Sequence, residues 1–198
     1  MADLQFEIES MARATDAEAE LVARLRIQNN SADPVHSITL RCQIQVDPSK
    51  RRYSQAEKSA LADLFGAPER WAETVRPLMW ANTQITVPPF SQSIVVDLPL
   101  AAFSEMTFGA KKYLCALEEG EIPIRFLFSG MVLYARGNRL QVVPIPWDRE
   151  ASFNLPPETW KTFIADVAIE NKQTEIFNRT ISELLDYWRK QEARRRNA

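Results

Sequence analysis

The chain contains few of the residues from which catalytic and cofactor sites are commonly built. It has one histidine, His36, two cysteines, Cys42 and Cys115, and five glycines among its 198 residues. Two widely separated cysteines form neither a disulfide framework nor, with a single histidine, a closed four-ligand zinc site. No glycine belongs to a G-x-G-x-x-G or phosphate-binding loop, which disfavours the common nucleotide-binding enzymes. We therefore predict no cofactor and no metal, and we expect both cysteines to be buried small side chains.

Long apolar runs and export signals are also missing. The N-terminal stretch MADLQFEIES is acidic and has no apolar core, whereas a secretory signal places basic residues before an apolar stretch. No segment approaches the roughly 18 consecutive apolar residues that mark a membrane-spanning helix. The formal net charge of -2 provides no global attraction to nucleic acid or to anionic membranes. These features predict a cytoplasmic protein without a membrane span.

Much of the chain has the two-residue alternation that is typical of β-strands. Three runs, at 4–8, 20–28 and 38–46, place apolar residues on one face and polar residues on the other. The turn-forming stretch 29–34 predicts that the chain reverses between the second run and the third. Further strands are predicted at 80–87, 93–98, 103–108, 122–134 and 140–145.

The run at 122–134 is nearly continuous in apolar character, which predicts a central strand that is covered on both faces. Gly130 lies within this run and follows Ser129. A nucleophile elbow would need a further glycine at position 127, where the chain has Leu127. Gly130 is therefore predicted to mark a bulge or a close approach between backbones.

Helical signals interrupt and follow the strands. Ser54 and Glu57 have the spacing of a capping box, and an apolar stripe leads from them to Gly66. A second short helix is predicted at 110–117. Beyond Pro156, two amphipathic helices are predicted from the apolar residues Trp160, Phe163, Ile164 and Val167, and then Phe177, Ile181, Leu184, Leu185 and Trp188.

These patterns together predict a mainly β protein with α additions. We expect an immunoglobulin-like antiparallel β-sandwich with an inserted helix and C-terminal helices. Residues 1–155 are assigned to the sandwich, with an inserted helical segment at about 54–75. Residues 156–198 are assigned to a helical extension that is not an independent domain. Its apolar stripes must dock on the sandwich or on a partner chain, because neither helix is stable alone in water.

No catalytic relay is evident along the chain. His36 has no serine, cysteine or carboxylate cluster near it in sequence. An enzyme built from this chain would need a site assembled from distant residues. The residues to test for such a site are His36, Arg41, Glu118 and Asp148.

Basic residues form two clusters, Lys50-Arg51-Arg52 and Arg194-Arg195-Arg196. Either cluster could hold an acidic partner or a phosphate backbone. No recognisable nucleic-acid-binding motif accompanies them, and basic residues at the end of a helix also complement its dipole. Nucleic-acid binding is therefore a disfavoured alternative, whose signature would be steep salt dependence.

The aromatic residues are more informative than the ionisable ones. Each of the five tryptophans has a large amphipathic surface that must be buried in the core or in an interface. Trp80 and Trp147 lie near prolines and arginines, a composition that is typical of interface anchors. The predicted partner-binding residues are Arg52, Tyr53, Arg70, Trp71, Arg76, Trp80, Trp147 and Trp188.

Several short stretches are distinctive in their combination and order: Pro34-Val35-His36, Leu40-Arg41-Cys42-Gln43-Ile44, Arg51-Arg52-Tyr53-Ser54, Leu64-Phe65-Gly66, Arg76-Pro77-Leu78, Lys112-Tyr113-Leu114, Gly120-Glu121-Ile122-Pro123, Leu127-Phe128-Ser129-Gly130 and Pro146-Trp147-Asp148. They resemble those of a bacterial family that is known only as a domain of unknown function. The resemblance runs from about residue 4 to residue 160. Members of that family are encoded near high-affinity nickel-iron hydrogenases, so the resemblance implies an accessory role in making or organising such an enzyme. It brings no catalytic residues with it.

We therefore predict a noncatalytic accessory or protein-interaction protein, bacterial and cytoplasmic, whose partner is a hydrogenase or one of its accessory proteins. The absence of a cysteine-rich motif argues against a carrier of nickel or of an iron-sulfur cluster. An enzyme assembled around His36 and nearby carboxylates, and a nucleic-acid-binding protein, are the alternatives.

Overall fold

The computed structural model describes residues 2–14, 21–100, 106–137, 139–162 and 164. The chain divides into two compact units, Met1–Phe163 and Ile164–Ala198, and the account below concerns the first. Its strands are β1 (Leu4–Arg13), β2 (Leu21–Asn29), β3 (Val35–Val46), β4 (Leu78–Val87), β5 (Ser93–Leu100), β6 (Ile122–Arg136), β7 (Arg139–Pro144) and β8 (Glu150–Leu155). Its α-helices include α1 (Gln55–Phe65), α2 (Trp71–Thr74) and α3 (Phe108–Cys115), and residues 157–162 are also helical.

The strands form two antiparallel sheets. The first has the order β1-β2-β5, and the second has the order β4-β3-β6-β7, with β8 also paired to β6. Strand β7 pairs with the C-terminal half of β6 and β8 pairs with its N-terminal half. Because β3 pairs along the opposite side of β6, β7 and β8 follow one another along a single edge of the second sheet.

The core lies between the two sheets. Leu25 and Ile27 of β2 and Leu40 of β3 are fully buried, as the alternation of their runs predicts. The ring of Phe6 in β1 stacks on that of Phe128 in β6, with centroids 4.4 Å apart, which joins the inner faces directly. Burying each side chain of this kind contributes about 1.5–3 kcal/mol.

The prediction of a mainly β protein with antiparallel sheets and a few helices is confirmed. The fourth strand, β4, pairs with β3 in the second sheet. A constant-type immunoglobulin domain instead places its fourth strand in the first sheet. The immunoglobulin-like assignment therefore stays a prediction, as does the boundary between residues 155 and 156.

The inserted helices begin as the sequence predicts. The Ser54 hydroxyl accepts from the Glu57 N–H, and the Glu57 carboxylate accepts from the Ser54 N–H, which completes the capping box of α1. The strand expected at 103–108 is not found over 106–108, because the Thr107 side chain caps α3 there. None of the described helices is long and apolar enough to cross a membrane.

Gly130 marks a close approach between β6 and β3, as predicted. Its φ is 139°, and a Cβ added to it would lie 2.0 Å from the carbonyl oxygen of Thr39. The prediction for the cysteines is correct for Cys42 and wrong for Cys115. Cys42 is buried on β3, whereas Cys115 is exposed at the end of α3.

Candidate partner-binding surface

The aromatic residues of the insert pack against one another. Tyr53 and Trp71 meet edge to face with centroids 5.1 Å apart, and Phe65 meets Trp71 at 5.5 Å. The Trp71 indole N–H donates to the Gly66 carbonyl at 2.9 Å. Two predicted partner-binding residues, Tyr53 and Trp71, therefore hold α1 and α2 together and are only partly exposed.

The hydroxyl of Tyr53 joins the insert to α3. It donates to the Pro48 carbonyl at 2.6 Å and lies 2.9 Å from the hydroxyl of Tyr113. Because its one hydrogen is used on Pro48, Tyr113 is the donor to Tyr53. Burial raises the pKa of Tyr113 to about 12 and also raises that of Tyr53, so both stay protonated at neutral pH.

Arg51 and Glu57 form a buried ion pair beneath this cluster. Arg51 Nη2 also donates to the Glu119 carbonyl at 2.6 Å, and Glu57 Oε1 accepts from the Glu118 N–H at 3.0 Å. Burial raises the pKa of Glu57, but the backbone N–H groups of Glu118 and Ser54 and the Arg51 guanidinium outweigh it. The net result is a pKa below the usual value for a glutamate.

Because of this pair, the three residues of the basic cluster Lys50-Arg51-Arg52 are not equally available to a partner. The charge of Arg51 is used internally, and only Lys50 and Arg52 are exposed. All three line a cavity of 490 Å³, which is also lined by Glu57, Glu119 and Glu121. Because the acidic and basic groups balance, the cavity does not have the electrostatics of a phosphate site.

The remaining predicted partner-binding residues are dispersed. Arg70 is exposed on the insert, and Arg52 and Arg76 are exposed just before and just after it. Trp80 lies on β4 with 1% of its surface exposed, so it belongs to the core and is not available to a partner in this structure. Trp188 lies outside the described residues.

Trp147 is the most exposed large apolar side chain among the described residues, with 90% of its surface exposed. It lies in the loop between β7 and β8. The Ile145 N–H donates to the Gly130 carbonyl and the Phe128 N–H donates to the Arg149 carbonyl, each at 2.9 Å. Both ends of the loop are therefore fixed to β6 while the indole lies in solvent.

The structure has a second exposed surface, which was not predicted from the sequence. Cross-strand pairs of β6 and β7 form a row on the outer side of the second sheet: Ala135 with Leu140, Leu133 with Val142 and Met131 with Pro144. We name these six residues the β6–β7 apolar face. Met131, Leu140 and Val142 are 48%, 55% and 60% exposed.

This exposure corrects the expectation that the run at 122–134 is covered on both faces. Inward residues of β6, such as Phe128 and Val132, are buried, whereas Met131, on the outward side, is exposed. The alternation of Leu140, Val142 and Pro144 in sequence is the signal that could have revealed the face. It does not say which side of the strand faces the core, because that depends on the pairing partner.

One side of the β7 backbone has no strand partner among the described residues. Among the described strands, β7 pairs with β6 alone. Since the Ile145 N–H faces β6 and successive strand residues alternate in direction, the backbone groups of Pro144, Val142 and Leu140 face away from it. Pro144 has no N–H to offer, which is the placement that proline adopts on edge strands.

The structure does not gather the four residues proposed for an enzyme. Arg41 lines one cavity, where its guanidinium donates to the Gln84 side chain, and Asp148 lines another. His36 is exposed at the start of β3, and Glu118 accepts from the Ser54 hydroxyl. Within the described residues, no group of three or more histidine, cysteine or acidic side chains is placed to hold a metal.

Taken as a class, this is a two-sheet antiparallel β protein with an inserted helical segment and an exposed apolar face. The chain belongs to a family of unknown function, DUF6084, whose model matches residues 1–197. The resemblance seen in the sequence to a family of unknown function is thereby confirmed. No curated protein matches the chain.

Two solved structures show only remote likeness. A selenomethionine-labelled β-glucosidase from Kluyveromyces marxianus is 10% identical, with 77% of this chain and 15% of that chain covered and a TM-score of 0.28. β-Glucosidase 3B from Thermotoga neapolitana, in complex with α-D-glucose, is 11% identical, with 77% and 17% covered and a TM-score of 0.25. The chain thus spans about a sixth of the length of these enzymes, and such likeness carries no argument about its fold or activity.

Proposed function

We propose that this protein acts by binding another protein, as a noncatalytic accessory module, through Trp147 and the β6–β7 apolar face. The observation that carries the proposal is the near-complete exposure of the Trp147 indole on a loop whose ends are fixed to β6. Tryptophans are enriched among the residues that dominate binding energy at interfaces. When a partner covers the indole and other exposed apolar side chains, the burial of apolar surface stabilises the complex by about 25 cal/mol per Å².

The fixed loop also favours tight binding. A partner that covers Trp147 does not have to order the loop ends, because the bonds from Ile145 and to Arg149 already hold them. Preorganisation of this kind lowers the entropic cost of association. The β6–β7 apolar face lies on a regular sheet and is preorganised in the same way.

The resemblance noted in the sequence supplies the first partners to test. It implies an accessory role near nickel-iron hydrogenases, so hydrogenase subunits and their maturation proteins are the proposed partners. The exposed apolar surface supports binding of a protein, and the resemblance alone supports this choice of protein.

The test compares three forms of the full chain, each tagged at its own locus and recovered under mild salt. They are the natural sequence, a surface variant (Leu140→Ser, Val142→Ser, Trp147→Ser), and a control, Phe108→Ser. Phe108 is 78% exposed at the start of α3, so the control removes a comparable apolar side chain outside the proposed surface. Quantitative mass spectrometry identifies the recovered proteins, and calorimetry with the purified partner measures its affinity.

The proposal expects a partner that is recovered with the natural sequence and with Phe108→Ser but not with the surface variant. The affinity for the purified partner should fall about 100-fold or more when Leu140, Val142 and Trp147 are replaced together. Recovery of the same proteins with all three forms would contradict the proposal. So would an affinity that is equal for the control and the surface variant.

A further inference from the structure

The open side of β7 has an unusual composition for an exposed strand edge. Protected edges commonly carry charged side chains or bulges along their length. Here the two residues whose N–H groups face outward, Leu140 and Val142, are both apolar and exposed, while Arg139 and Pro144 lie only at the strand ends. A short edge that is open in its middle and bounded at both ends accepts a strand of about the same length.

We infer that the β7 edges of two copies of this chain pair antiparallel, so that the second sheets form one continuous sheet across a two-fold axis. This inference stands apart from the proposed function, because it concerns the backbone edge of β7 and a second copy. In the pairing, Leu140 lies opposite Val142 of the second copy, and Val142 lies opposite Leu140. Each such pair exchanges two backbone hydrogen bonds, which satisfies both outward N–H groups in each copy.

Pro144 favours this register over the one in which Leu140 lies opposite Pro144 of the second copy. Shifting one copy by two residues would place Leu140 opposite Pro144 of the second copy. Because proline has no N–H, the Leu140 carbonyl would then lack a donor. The residue that ends the open edge therefore also disfavours one of the two neighbouring alignments.

The charges along the edge are complementary to a second copy. Arg139 begins β7 and Asp148 lies in the loop after it, and both side chains are exposed. Neither has a salt bridge with another described residue. Antiparallel pairing brings the Arg139 end of each edge alongside the Asp148 end of the other, whereas a parallel pairing would set like charges together.

The dimer also extends the β6–β7 apolar face. Leu140 and Val142 of each copy lie on the same side of the joined sheet, because residues in cross-strand pairs share a face. The contact between two six-residue strands is smaller than the roughly 1,200–2,000 Å² of standard interfaces. Association should therefore be reversible and dependent on concentration.

The test is sedimentation velocity on the full chain, from about 5 to 500 µM, a range suited to an interface below standard size. Val142→Pro removes an outward N–H without removing a bond between β7 and β6, whereas Val142→Thr keeps the N–H and the branched side chain. We expect the natural chain and Val142→Thr to dimerise with similar constants. Val142→Pro should weaken dimerisation about tenfold or more, since one N–H is lost from each copy.

A charge exchange keeps the test informative if Val142→Pro unfolds the chain. Arg139→Glu and Asp148→Arg should each weaken the dimer, and the double variant should restore it, because the exchange recreates both attractive pairs. Thermal unfolding checks that every variant is folded. A natural chain that stays monomeric at all concentrations would overturn the inference. Equal dimerisation of the proline and threonine variants, or a double variant no stronger than the single ones, would do the same.

A third outcome would show that the β7 edge binds a strand of another protein and not a second copy of this chain. The chain could be monomeric while Val142→Pro loses the partner recovered with the natural sequence. The β7 edge would then receive a strand from that partner, which overturns the second-copy inference and leaves the proposed function standing.

Discussion

Arg51 Nη2 lies 2.8 Å from Glu57 Oε1, and the two side chains are only 8% and 4% exposed. The pair links the chain before α1 to the carboxylate that closes the capping box of that helix. Arg51 also donates to the Glu119 carbonyl, and Glu57 also accepts from the Glu118 N–H, in the segment just before β6. One ion pair therefore positions the inserted helix against the loop that leads into the central strand.

Removing one member of this pair should be costly. Glu57→Ala leaves the Arg51 guanidinium buried without a counter-charge and also removes half of the capping box. We expect a loss of about 3–5 kcal/mol in the free energy of unfolding, measured by urea titration. The double variant Arg51→Met, Glu57→Leu should lose less than Glu57→Ala alone. A loss below about 1 kcal/mol for Glu57→Ala would show that the pair is not a structural anchor.

The same carboxylate should make stability depend on pH. Because the pKa of Glu57 is lower in the folded chain than in the unfolded chain, its ionised form stabilises the fold. The contribution is fully present above the unfolded value of 4.5 and is lost as the pH falls through the lower folded value. Urea titrations at a series of pH values should show the difference between the natural chain and Glu57→Gln shrinking over that window. A difference that does not change with pH would exclude this linkage.

Gly130→Ala should destabilise the second sheet. The added Cβ would lie 2.0 Å from the Thr39 carbonyl oxygen, and the φ of 139° is unfavourable for any other residue. We expect a loss of about 2–5 kcal/mol in the free energy of unfolding. Gly137→Ala is the matched control, because its φ is also positive, at 56°, but a Cβ there meets nothing within 4 Å. Its cost should be about 1–2 kcal/mol, and equal costs for the two would contradict the close approach.

The two tryptophans near prolines should behave oppositely on replacement. Trp147→Ser should change the free energy of unfolding by less than about 0.5 kcal/mol, because its side chain contacts mostly solvent. Trp80→Ala should cost about 3–5 kcal/mol, because it leaves a cavity in the core. Thermal and urea unfolding of both variants provide the comparison. A large loss for Trp147→Ser would mean that the indole supports the fold and would weaken its role as a partner-binding residue.

The local sequence pattern was enough to predict most of the strands and the inserted helix. The alternation of Leu4, Phe6 and Ile8 predicted β1, and the spacing of Ser54 and Glu57 predicted the start of α1. Each of these signals depends only on residues that lie a few positions apart in the sequence. The proposed partner-binding surface was harder to predict, because the exposure of a residue depends on which distant segment covers it.

The amino-acid sequence by itself determined the period of most segments and the capping box of α1. Tertiary structure decided that Trp80 is buried and Trp147 exposed, although both lie near prolines in sequence. It also decided that Arg51 is paired inside the fold with Glu57, that Met131 on the outer side of β6 is exposed, and that Gly130 lies against the Thr39 carbonyl of the neighbouring strand. Local periodicity is set by backbone geometry over a few residues. Burial and ion pairing are set by which sheets and loops meet across long sequence separations.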